Sequence, residues 1–178
     1  MLDCNNPFWT FSLAVYARPG VAAECLALQN ECNVDVNVLL YAAWLGHAHA
    51  LVLTEATLAA IDTTIAVWRD TAVRPLRAVR QTLKPLPAMT EPAVQELRAQ
   101  VAQLELRAEQ IEQAMLFALS LSLIHDNASP PDMTPADALH HNVAALLARH
   151  RTSATAIDVT PPQARRLIAE AIAYRLAA

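Results

Sequence analysis

The sequence predicts an all-α fold: a helical bundle built on a long antiparallel helical hairpin, with short N-terminal and C-terminal helices. Three observations carry that expectation. Only 2 Gly stand against 54% hydrophobic residues in a chain of 178, whereas a β-rich fold needs turn glycines and more β-branched and aromatic residues. Helix-start signatures recur along the chain, most of them a capping side chain beside a proline or an acid. Two long central stretches place apolar residues at steps of three and four, the spacing of one helix face. At this length the chain is one domain, or one domain with a C-terminal appendage, and buries roughly two thirds of its unfolded surface.

The elements follow in order. Asn6-Pro7 reads as an N-cap followed by proline at the first helical position. Pro19-Gly20 ends that helix and opens the next, which runs to about Cys32. Asp35 caps a third helix that Gly46 ends, and Thr54 caps a fourth. In each case a hydroxyl, amide or carboxylate oxygen accepts from orphan backbone N–H groups, and proline has no N–H to leave unpaired. The first hairpin arm carries Leu58, Ile61, Ile65, Trp68, Ala72, Leu76, Val79 and Leu83 on one seam. Pro75 should bend that arm or divide it near residues 69–72.

Lys84-Pro85-Leu86-Pro87-Ala88-Met89 is a short rigid connector. Thr90, with Pro92 just inside, opens the second arm, whose heptad seam is Val94, Leu97, Val101, Leu104, Ala108, Ile111 and Met115. From Leu116 to Ile124 the chain is apolar on every face, which predicts burial on all sides against the N-terminal helices. Asn127 to Asp132 has linker composition. Two shorter Ala-rich helices follow, opened by Thr134-Pro135 with Asp137 and by Thr160-Pro161-Pro162. The expected organisation is therefore a helical domain over residues 1–125 (N-terminal helices 6–46 plus hairpin 54–124). A two-helix extension over 126–178 packs on or beside it.

Charge supports pairing of the two arms. Arg69, Arg74, Arg77, Arg80 and Lys84 lie on the first with one acid, Asp70. Glu91, Glu96, Glu105, Glu109 and Glu112 lie on the second with Arg98 and Arg107. Opposite charges would attract within a hairpin or across a dimer. The flanks of Glu105, Glu109 and Glu112 are polar, so these read as the outer face of a coiled coil.

Several function classes are disfavoured. A net charge of −4 argues against the whole chain binding nucleic acid by charge alone. Cys4, Cys25 and Cys32 are odd in number and lack a Cys-x-x-Cys spacing, as expected of reduced thiols in a cytoplasmic protein. The start has no basic and apolar leader pattern. Residues 38–60 are very apolar, but interrupted, and read as a buried helix pair and not a membrane span. Two glycines build no phosphate loop, the six His are scattered without ligand spacing, and no cofactor or metal site is expected. Cys25 reads as a core thiol.

Two clusters remain as candidate sites. Trp9, Ser12 and Tyr16 share one helical face, Gln29 follows Cys25 by about a turn, and Asn37, Tyr41 and Trp44 share a face of the third helix. These are either core positions with satisfied polar groups or the lining of a ligand pocket. Arg74, Arg77, Arg80 and Lys84 form a stripe that either holds an anion or is a solvated face paired with the acidic arm. No aromatic residues interleave it, which weakens a nucleic-acid role.

The block from Asn6-Pro7-Phe8-Trp9 through Phe11-Ser12-Leu13, Tyr16, Pro19-Gly20-Val21, Cys25, Leu28-Gln29 and Asp35-Val36-Asn37 to Trp44-Leu45-Gly46 resembles a family of uncharacterised proteobacterial proteins, a domain of unknown function. The resemblance covers about the first 120 residues and is weaker over residues 69–84. It implies no activity, cofactor or catalytic residue.

With no catalytic constellation in view, the leading expectation is a non-enzymatic protein-interaction or regulatory factor, acting through a partner or by self-association. A small-molecule or lipid-binding domain is the alternative, taking a small apolar or anionic ligand. That alternative requires a cavity bordered by Trp9, Tyr16, Asn37 and Trp44, with Arg77 or Arg80 nearby. RNA binding through the basic helix 69–84 is the third.

Overall fold

The structure, a computed structural model, describes residues 1–126, 130, 132–150 and 164–174. Its centre is a helix with no polar face. In α3 (Val36–His49) every residue from Asn37 to Gly46 is buried. Such a helix must be covered all round. The covering elements are α1 (Pro7–Tyr16), α2 (Val21–Cys32), α6 (Pro92–Asp126), α7 (Pro135–Arg149) and α8 (Arg165–Ala173). Among the described residues no strand forms. No single helix there is long and apolar enough to cross a membrane.

The caps follow local chemistry. Asn6 Oδ1 accepts from Trp9 N at 2.8 Å, Asp35 Oδ1 from Asn37 N at 2.9 Å, and Thr134 Oγ1 from Asp137 N at 3.1 Å. Thr54 Oγ1 accepts from Thr57 N at 3.2 Å and starts α4 (Glu55–Trp68). Thr90 does not cap. It closes a 3₁₀ turn, Pro87–Thr90, and its hydroxyl donates to the Pro87 carbonyl at 3.1 Å. The sequence signal there was misplaced because the 3₁₀ turn already engages that hydroxyl.

Gly46 does not end α3, which continues to His49 and stops at Ala50 in the left-handed region, with φ 50°. The glycine instead admits α7. A Cβ on Gly46 would lie 2.4 Å from the Leu139 amide nitrogen and 2.5 Å from its Cα. Leu139, Val143 and Leu147 of α7 thus join Phe8, Phe11 and Leu39 in one core. Buried Asn142 fastens this contact. Its Oδ1 accepts from Leu53 N at 2.7 Å, while Nδ2 donates to the carbonyls of Ala42 at 3.1 Å and Leu51 at 2.8 Å. At the other end Glu24 of α2 accepts from the Arg166 and Leu167 amides and so caps α8. The start signal at Thr160-Pro161-Pro162 lies outside the described residues.

Pro75 acts as its chemistry requires. Before it, Arg69–Val73 form a π-helical turn, and the Arg74 N–H bonds to the carbonyl of Arg69, five residues back. The widened turn relieves the crowding that a proline ring imposes on the preceding turn. Beyond it, α5 (Arg74–Leu83) runs antiparallel to α6. Trp68 Nε1 donates to the Ala108 carbonyl at 2.9 Å and fixes the register of the two arms.

Three expectations about α6 are corrected. The apolar seam is split: Val101 and Ala108 are buried, but Leu97 is 50% and Leu104 58% exposed. Glu105, Glu112 and Leu116 share the inward face with Val101 and Ala108. Glu105, Glu109 and Glu112 are therefore not an outer face, because the arginines of α5 draw the first two carboxylates inward. The stretch 116–124 is covered on one side only. Leu116 and Ser120 are buried, while Leu121 is 65% exposed.

Candidate functional site

Five helices meet at one cleft of about 250 Å³. Trp9, Ser12 and Tyr16 reach it from α1, where steps of three and four keep them on one side. The same periodicity turns Phe8, Phe11 and Val15 into the core. Gln29 enters from α2 and Asn37 from the first turn of α3. Arg77 and Arg80 of α5 form one wall with Glu105 and Glu109 of α6.

The wall is a compact ion cluster. Arg77 Nε donates to Glu105 Oε1 at 3.1 Å, and its Nη2 to Glu109 Oε1 at 2.6 Å. Arg80 Nη2 donates to Glu105 Oε1 at 3.0 Å, and its Nε donates to Glu105 Oε2. Burial alone would raise the Glu105 carboxyl, but hydrogen bonds from Arg80 and Arg77 outweigh it and hold the group below its ordinary value. Glu109 goes the other way: burial raises it despite the attraction of Arg77. Tyr16, half-buried beside them, is raised first by burial and then by Cys25 and Glu109.

The floor is polar and under-satisfied. Ser12 and Gln113 are each 3% exposed. Among the described residues Ser12 Oγ and Gln113 Oε1 have no hydrogen-bond partner. Gln113 Nε2 donates to Asn37 Oδ1 at 2.9 Å, and Asn37 Nδ2 donates to Glu112 Oε2 at 2.9 Å. Glu112 is fully buried, and burial, with Asp35 close by, pushes its carboxyl up to about 9. It therefore keeps its proton at neutral pH, with Asp35 nearby disfavouring a second negative charge. Asp35 lies 3.8 Å from Arg69, so a buried polar chain runs from the cleft floor to the far side of α3.

The rim is apolar. Leu13, Leu26 and Leu106, from three different helices, border the cleft and are 50%, 43% and 51% exposed. One exposed leucine is ordinary, but three converging on one opening make an apolar rim.

Not every residue singled out in the sequence reaches this place. Tyr41 and Trp44 belong to the core, stacked around Phe8 at ring separations of 5.1 and 5.4 Å. Both are buried on the part of α3 that Phe8 covers. Arg74 pairs with Asp70 at 2.8 Å and faces a second cleft, with Arg69 and Asp62. Lys84 is exposed at the end of α5. Residues missed in the sequence are Glu105, Leu106, Glu109 and Gln113. Glu105 and Glu109 had a usable signal: they stand four apart, opposite Arg77 and Arg80, three apart, in a hairpin.

Cys4, Cys25 and Cys32 are free thiols. Burial pushes the Cys25 thiol up to about 12, which removes the thiolate a nucleophile needs. Among the described residues no three His, Cys, Asp or Glu side chains converge as metal ligands.

Residues 7–116 match the family described as "Protein of unknown function (DUF2390)". The chain belongs to this family. No curated protein and no solved structure matches it. The DUF2390 match contains the whole lining of the cleft, from Trp9 to Gln113. It does not contain α7 or α8, which pack on α3 away from that lining.

Proposed function

We propose that this domain binds a small amphiphilic molecule in the cleft between α1, α2, α3, α5 and α6. One observation carries the reading: a polar floor with two buried unpartnered atoms, Ser12 Oγ and Gln113 Oε1, lies beneath a rim of three exposed leucines. Buried polar groups are nearly always paired, so two orphaned atoms on residues that line one cleft favour a ligand that supplies the partner. The convergence of Trp9, Tyr16 and Asn37 with Arg77 and Arg80 supports it further.

An interaction factor is the leading expectation from the sequence, motivated by the absence of a catalytic constellation, the heptad seam and the charge of the two arms. Arg77 and Arg80 spend that charge on Glu105 and Glu109 of the same chain. The same pairing weakens the RNA reading, since phosphate would have to displace buried carboxylates.

The test is native mass spectrometry of protein purified from its own host, under gentle and then denaturing settings. A small mass that co-purifies, is lost on denaturation and is depleted in a Trp9→Ala variant is the expected result. An adduct-free protein that also gives no cleft-residue shifts in a fragment screen by NMR would refute the reading.

A further inference from the structure

The charge balance of the cleft restricts what its ligand is. Two guanidinium groups, Arg77 and Arg80, face two carboxyl groups, Glu105 and Glu109, and each arginine is already hydrogen-bonded to at least one of them. A ligand carboxylate or phosphate entering this wall meets cations whose charge is spent. A ligand ammonium meets carboxylates already engaged. Either would carry an uncompensated charge into a partly desolvated space, which is costly.

The floor asks for something else. Gln113 Oε1 is an acceptor with no donor, because Gln113 Nε2 is committed to Asn37. Ser12 Oγ can donate or accept and does neither. A ligand group that offers an N–H or O–H would satisfy Gln113 Oε1, and either a donor or an oxygen would satisfy Ser12 Oγ. Above it, Leu13, Leu26 and Leu106 offer hydrocarbon contact at the opening. Resting on the ligand-binding reading above, we propose that the cleft selects an uncharged head group, an alcohol or carboxamide, carried on a short hydrocarbon body.

Four six-carbon probes separate the possibilities: 1-hexanol, hexanamide, hexanoate and hexylammonium, titrated into the full chain and followed by ¹H–¹⁵N correlation spectra that include side-chain amides. Hexanol and hexanamide should shift the Gln113 side-chain amide and the Ser12 backbone, and should bind at least fivefold more tightly than either ion. Ser12→Ala should weaken hexanamide about fivefold while the protein stays folded, because that hydroxyl supports no protein contact. If hexanoate or hexylammonium binds in the cleft as tightly as hexanamide, the uncharged-head inference is overturned while the cleft remains a ligand site. If no probe moves any cleft residue, both are overturned.

Discussion

Asn37 Nδ2 donates to Glu112 Oε2 across 2.9 Å, and both side chains are buried. The pair joins the cleft floor, through Gln113, to Asp35 at the start of α3. Burial and Asp35 keep a proton on Glu112 that a carboxyl in water would have lost, although the Asn37 hydrogen bond by itself favours the ionised form.

That proton makes stability depend on pH. Glu112 titrates near 9 when folded, because of burial with Asp35 and Glu109 nearby, and near 4.3 when unfolded. Between these values the folded chain holds one more proton than the unfolded one. The Glu112 contribution is therefore fully present below about pH 4 and is lost as pH rises through about 9. Glu112→Gln mimics the protonated group and should remove that part of the slope. Urea denaturation at pH 6 and pH 9 checks it: the variant should gain on the parent as pH rises, and a constant difference would sink the idea.

Ser12→Ala should not destabilise the empty protein. The hydroxyl is buried without a partner, and an unsatisfied buried group costs roughly 1–3 kcal/mol. The expected change is an unaltered or higher Tm, measured by thermal melting. A clear drop would mean that the hydroxyl has a partner in solution.

Arg77→Met leaves Glu109 without its cation and Glu105 with Arg80 alone. The expected loss is roughly 2 kcal/mol, between the values for exposed and for fully buried pairs. The Arg77 side chain keeps 18% exposure, which is why the larger value does not apply. Chemical denaturation measures it, and a loss near zero would show the ion cluster to be ornamental.

Gly46→Ala should destabilise through overpacking, by roughly 1–3 kcal/mol. The added methyl meets the backbone of Leu139, not the flexible end of a side chain. Hydrogen exchange should show α7 opening before the rest of the fold. Uniform exchange would count against this account.

Asn142→Leu removes the side chain that satisfies Leu53 N, Ala42 O and Leu51 O. Unpairing buried backbone groups costs about 1–3 kcal/mol, so a lower Tm is expected even though leucine is the more apolar residue.

Where the sequence could be read, local chemistry carried the reading. Asn6, Asp35, Thr54 and Thr134 cap helices because their side chains reach amides two or three residues away. The division of the first arm before Pro75 is equally local. Trp9, Ser12 and Tyr16 share a face by helix periodicity alone, and that face does line the cleft. Tyr41 and Trp44 failed the same logic, since periodicity says which residues share a side but not what that side meets.

By itself, then, the sequence determined the all-α class, most helix starts, the break before Pro75 and the face that α1 presents. Only the tertiary structure decided which side of α6 turns inward. Val101 and Ala108 of the predicted seam turn inward, but Leu97 and Leu104 face out, because Arg77 and Arg80 draw Glu105 and Glu109 to the interior. It also decided that Gly46 admits α7 in place of ending α3, and that Ser12 and Gln113 line one cleft. The physical reason is common to all three. Caps and periodicity depend on neighbours within a turn or two, whereas burial, charge pairing and close backbone approach depend on residues tens of positions away.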